Sequence, residues 1–367
     1  MIKREIGSDF YLSRSETGSQ QEAGPLALEL SLTDRRYLSS GRQAIRYCLR
    51  DLGAVPKRAL LPEFTCTSVI QAFLQEDYQL AFYPLDRDLG MTSSQLIEEA
   101  QKQAARVLLF HPYFGFDSLE MDQAFPEDLV VIHDASQSFA SNLSYPGVDY
   151  RMVSIRKWGP FSDGGFCGKW TGPFRDQGQL PDDREVNRLV QEAYALKAAY
   201  IEAGQGDKAS YLDLYRQALT LLSGREGLYA MDPQARDLYL HYDWEAMGQK
   251  RRANYQALLA YPRWSDLGQL IFPQLDREDL VPLYFPFYVG AGRRDQLQAF
   301  LIGRDIYAPV IWPCPDYLKM RGVSPQVARL YQEILVLPID QRYGRQDMER
   351  IHQALDDYLE GEVKDLV

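Results

Sequence analysis

The chain has 367 residues, 46% hydrophobic and 25% charged, which is enough for two domains and too rich in apolar side chains for disorder. Fifty-one acidic against forty basic residues leave a formal net charge of -11 with no concentrated lysine or arginine run, which disfavours a nucleic-acid partner. Four cysteines, at 48, 66, 167 and 314, form no CxxC pair, so free thiols in a reducing compartment are expected rather than a disulfide framework.

The histidines at 111, 133, 241 and 352 share no short zinc-type spacing, so no metal is expected. The stretch from Met1 to Phe10 lacks the apolar core of a signal peptide, and charge-free runs such as 281–292 fall short of the ~20 residues of a membrane span. A cytoplasmic protein without membrane contact is the expectation.

From residue 38 the chain alternates strand and helix. Ser39, Ser40 and Gly41 precede Ala44, Ile45, Cys48, Leu49 and Leu52 on one helical face, and Gly53 closes that helix. A strand at 58–61, a helix at 68–74, a strand at 79–83 and a helix at 94–105 follow. The short apolar runs 107–111, 129–133 and 152–155 read as strands covered on both faces, hence a mostly parallel sheet. Residues 185–225 read as helices broken at Gly204 and Gly206, and a long helix spans 244–259. Beyond it, runs at 283–289 and 307–311 with helices at 294–301 and 346–359 make a smaller α+β unit. The expected division is a large domain over 1–245 and a small one over 246–367, with roughly the first 35 residues packing on the small domain.

Ligands of parallel sheets gather at the carboxyl ends of the strands. There stand Pro112 to Gly115, Asp134, and Arg156 with Lys157. Pyridoxal phosphate requires such a set: an amine for its aldehyde, a carboxylate to keep its pyridine nitrogen protonated, and donors around its phosphate. Ser39 to Arg42, at a helix start, can supply those donors. Singly, each residue has a plainer reading, Asp134 as a turn former, Lys157 as a solvated loop residue and Ser40 as an N-cap. Order and spacing together favour the site.

These segments resemble the DegT/DnrJ family of sugar aminotransferases, which are fold-type I pyridoxal-phosphate enzymes. The resemblance rests on Ser39 to Gly41 with its helix, Leu61 to Ser68, the run from His133 and Asp134 to Gln137, and Ser154 to Lys157 followed by Gly164 and Gly165. Weaker likeness at Arg251 to Tyr255, Gly303 to Tyr307 and Leu337 to Ile339 extends it over nearly the whole chain. It implies an α/β fold with a mostly parallel central sheet and a smaller C-terminal domain.

The resemblance makes Lys157 the lysine that bonds the cofactor and shuttles protons, and Asp134 the partner of the pyridine nitrogen. Gln137 would lie beside the ring, and Ser154, Gly41 and Arg42 on the phosphate side. It further implies a homodimer with shared active sites, glutamate as amino donor, and a keto-sugar acceptor, nucleotide-linked in type. Tyr113, Phe114, Tyr307 and Trp312 are candidates for the acceptor cleft, and Arg42, Arg156 and Arg293 for neutralising an anionic donor or diphosphate. Leu189, Leu196 and Leu214 are expected at the dimer contact.

The chain departs from the family pattern in four places. Ser154 and Lys157 are three apart rather than five. Cys66 occupies the aromatic stacking position, with Phe64 as the substitute. No Gly-x-Asn-x-Arg motif occurs in 170–225, and Ile311 to Pro315 replaces a His-Tyr-x-Pro segment. A non-sugar acceptor, or a cofactor-binding regulator without turnover, are the alternatives.

Overall fold

The structure is a computed structural model that describes residues 5–12 and 25–365. Its strands are β1 (Asp34–Leu38), β2 (Arg58–Pro62), β3 (Gln79–Tyr83), β4 (Met91–Thr92), β5 (Val107–Phe110), β6 (Leu119–Glu120), β7 (Val130–Asp134), β8 (Tyr150–Ser154), β9 (Gly165–Lys169), β10 (Gly268–Leu270), β11 (Phe285–Val289) and β12 (Ile334–Leu337). Seven of them form one sheet in the order β1-β9-β8-β7-β5-β2-β3. Every neighbouring pair from β8 to β3 is parallel, and β9 runs antiparallel to both β1 and β8.

The apolar runs become central strands because side chains alternate between two cores. Val107 and Leu109 of β5 join the core under the helices Gly41–Asp51 and Thr67–Leu74, whereas Leu108 and Phe110 face a core continuous with the smaller sheet. Ser40 caps the helix Gly41–Asp51 by accepting from Gln43 N, and Gly53, at φ +63°, takes the left-handed conformation past its end.

β10, β11 and β12 form the smaller antiparallel sheet, covered by helices that include Trp244–Leu259, Arg294–Ile302 and Arg345–Asp365. The run 307–311 is not a strand, contrary to its apolar pattern. Pro309 has no N–H to give a ladder, and Tyr307 N donates instead to Ile6 O. The small sheet takes Ile334–Leu337 in its place.

The helices Arg184–Ala203 and Lys208–Gly224 form a hairpin through Gly204 and Gly206, both at positive φ, with Val186, Leu189, Val190 and Ala218 as its own core. Residues 5–12 run between this hairpin and the small unit. Ile6 pairs with Ile306, and Arg342 donates to the Ser8 and Asp9 carbonyls. The helix Pro25–Leu30, by contrast, packs on the large unit through Leu26, beside Phe139 and Tyr239. Among the described residues no helix is long and apolar enough to cross a membrane, and no cluster of His, Cys, Asp and Glu could hold a metal.

A Cβ on Gly165 would stand 2.1 Å from Ser40 O, so this strand and the helix start meet only without a side chain. Gly165→Ala should lower stability by about 1–3 kcal/mol through overpacking. Gly224→Ala, with open space around it, should be neutral or slightly stabilising. Urea midpoints of the two variants check both.

Candidate active site

The sheet order sets the ends of β8, β7, β5 and β2 side by side, and with them Lys157, Asp134, His111 and the segment through Phe64 and Cys66. Short 3-10 turns follow β7 and β8 and aim these side chains. Asp134 caps its own turn by accepting from Ser136 N at 2.8 Å. Ser136 Oγ then accepts from Ser154 N at 2.8 Å, and Trp158 Nε1 donates to Ser136 O at 3.0 Å. These bonds lock the two strand ends to each other.

Asp134 is 6% exposed. Burial pushes its carboxyl up from the ordinary range, and the Lys157 cation works in the opposite direction. Lys157 is partly exposed, with Nζ 5.8 Å from the centre of the Trp312 ring. Gln137 is buried, and its Oε1 accepts from Phe114 N at 2.9 Å.

Next to the lysine the Ser40–Gly41 turn closes on the sheet. A Cβ on Gly41 would lie 2.7 Å from Ser154 Cβ, so the glycine lets the helix start touch the serine. Ser39, fully buried, keeps an unpartnered Oγ. Arg42 donates to Ser223 O at 3.0 Å, and burial draws its pKa down, with Arg156 and Arg46 nearby adding to the effect.

The remaining expected residues divide. Cys66 is half-buried at the cap of the helix Thr67–Leu74, its Sγ 3.3 Å from Ser68 Oγ. Phe64 is 2% exposed and packs edge-on to Trp312 and Tyr331, while its carbonyl accepts from Tyr113 Oη. Tyr113 and Phe114 are fully buried, which places them in the core and not on a cleft surface. Arg293 is bound to the carbonyls of Gly290 and Asp266, in the small unit.

A cavity of about 570 Å³ opens beside Lys157. Ser154, Arg156 and Lys157 lie on it, together with Tyr307, residues 7–10 and one face of the hairpin, including Val190 and Leu222. Asp134 and Gln137 do not line it. The N-terminal residues and the hairpin escaped the sequence reading because their proximity to Lys157 is purely tertiary. His111 escaped it too: its Nε2 lies 3.3 Å from Thr65 Oγ1, its ring meets Trp312 edge-on, and its buried Nδ1 has no partner.

No protein-family model matches the chain, and no curated protein sequence does. Solved structures do match its fold. PseC of Helicobacter pylori, an aminotransferase involved in the biosynthesis of pseudoaminic acid, is similar at a TM-score of 0.66 and 13% identity, over 98% of this chain and 100% of that one. TlmJ from Streptoalloteichus hindustanus, an aminotransferase, gives 0.64 at 15% identity over 98% and 100%. Spr1654 from Streptococcus pneumoniae in its PLP-form gives 0.64 at 14% identity over 98% and 99%. The chain has the aminotransferase fold.

In that fold the donor set fits pyridoxal phosphate. Lys157 offers an amine, Asp134 a buried carboxylate, and the glycine-lined helix start offers backbone N–H groups with an unpartnered hydroxyl beside them.

Burial, with the Lys157 cation in reach, holds the His111 imidazole down at about 3 instead of 6.5. A pKa depressed on folding gives stability that is present above the unfolded value and lost as pH falls, at up to ~1.4 kcal/mol per pH unit. His111→Gln should therefore flatten the decline in stability below pH 6.5, followed by urea midpoints across that range. An unchanged slope would contradict a neutral buried His111.

Proposed function

We propose that the protein is a pyridoxal-phosphate-dependent aminotransferase that moves an amino group from an amino acid, glutamate, to a keto-sugar, nucleotide-linked in type. The observation that carries this reading is the row of strand ends that sets Lys157 beside the buried Asp134 within the aminotransferase fold. When bound, pyridoxal phosphate supplies an electron sink for charge developing on the donor carbon.

In this reading Lys157 would bond the cofactor, and its freed amine would take a proton from the donor carbon in the first half reaction and deliver one to the acceptor carbon in the second. Its place over Trp312 gives the free amine an aromatic face to rest on. Asp134, fixed by Ser136 N, would hold the proton on the pyridine nitrogen, and a low-dielectric site would strengthen that pair. Gln137, oriented by Phe114 N, flanks the ring, with Cys66 and Phe64 the candidates for its face. Gly41, Arg42 and Ser154 belong to the phosphate side.

The cavity beside Lys157 is the proposed substrate space, and Tyr307 and Trp312 are its candidate sugar-facing aromatics. The same reading includes a cytoplasmic homodimer and a division into a large domain (1–245) and a small domain (246–367). Support for a sugar acceptor comes from PseC, whose described role is in pseudoaminic acid biosynthesis.

The purified protein should bind pyridoxal phosphate with a yellow colour, and borohydride reduction with peptide mapping should find the cofactor on Lys157. Lys157→Ala should abolish both. Label on another lysine would sink the assignment. Asp134→Asn should keep the circular dichroism of the parent yet slow the donor half reaction at least 100-fold, read by stopped-flow absorbance, because an amide cannot hold the ring nitrogen protonated.

A further inference from the structure

Arg156 carries a charge that its surroundings leave unbalanced. Among the described residues it makes no hydrogen bond and no ion pair, and its Nε is buried without a partner. Arg42 is near enough to feel its charge. The nearby acid, Asp163, is a poor counter-ion: burial pushes its carboxyl up to about 7, and it already accepts from Asp232 N and Asn187 Nδ2. A guanidinium stays protonated at any working pH, so two within reach of each other's charge, beside a buried acid that is already hydrogen-bonded, leave room for an anion.

Three independent features mark where that anion sits. The helix Gly41–Asp51 points its N-terminus at Ser154, with a glycine at the contact. Ser39, just before that helix, keeps an unpartnered Oγ at 0% exposure. Arg156 and Ser154 both line the cavity that reaches Lys157, and Ser154 is the residue that Gly41 of the helix start abuts.

We propose that Arg156 together with Arg42 forms a two-guanidinium seat for the cofactor's phosphate at the start of the helix Gly41–Asp51. The inference rests on the reading of the chain as a pyridoxal-phosphate enzyme, and it makes Arg156 a binding residue. The seat is built from residues of one chain. A planar guanidinium offers a phosphate two parallel N–H groups.

The test compares pyridoxal phosphate, pyridoxal lacking the phosphate, and inorganic phosphate as ligands of the apo protein, by fluorescence titration. Arg156→Gln should weaken pyridoxal phosphate about 10–100-fold, leave pyridoxal unchanged, and remove competition by inorganic phosphate. Arg156→Lys, which keeps the charge but not the fork, should fall between, and it decides the matter if the glutamine variant does not fold. Equal loss for both pyridoxal ligands would show a structural role and overturn the proposal. Unchanged cofactor affinity with a raised KM for a phosphate-bearing acceptor would transfer the seat to the acceptor and overturn it as stated. If borohydride traps neither pyridoxal ligand on Lys157, the enzyme reading fails. Inorganic phosphate then still decides the seat, by binding to the parent and loss in Arg156→Gln or by its failure to bind.

Discussion

Direct contact between the Ser39–Gly41 turn and the ends of β8 and β9 is the constraint on which the rest of the site depends. Gly41 abuts Ser154, Gly165 abuts Ser40, and Gly164 N donates to Ser39 O at 3.1 Å. The topology makes this meeting compulsory. β9 returns antiparallel between β8 and β1, so the chain leaving Lys157 must pass the helix that follows β1. A helix end held this close presents its free N–H groups to whatever bonds the lysine.

Around that contact the charges are arranged by desolvation. Asp134 and His111 are both buried, and burial moves each toward its neutral form, the acid upward and the imidazole downward. Neither shift needs a special partner. With water removed, the Lys157 charge reaches both groups, opposing the effect of burial on Asp134 and adding to it on His111.

The strands and helices that position the site were legible wherever periodicity or capping carried the signal. Gly204 and Gly206 break the helical run 184–224 where the hairpin turns, and Val107 to Phe110 reads as the buried strand it is. β9 was not legible, because Gly165 to Lys169 contains two glycines and no apolar run. Its pairing comes from its neighbours and not from its own propensity. The site was legible where adjacency in sequence coincides with adjacency at the sheet edge, as for Asp134 with Gln137 and Ser154 with Lys157. His111 was visible as a residue but not as a site member, and Arg156 as a candidate for neutralising an anionic donor or diphosphate but not as a seat for the cofactor's phosphate. Each owes its standing to what surrounding side chains fail to supply, and that is a property of the folded whole.

Residues 5–12 bind at both ends of the chain's history. Ser8 Oγ accepts from Lys197 at a separation of 189 residues, and Ser8 O accepts from Arg342 at a separation of 334. During synthesis this segment emerges long before its second anchor, Arg342. The wall that it forms beside Lys157 is therefore held from the small unit only once Arg342 is in place. A chain cut before Arg342 lacks the bonds that hold Ser8 and Asp9 along the cavity, and so exposes the side of Lys157 that they cover to solvent.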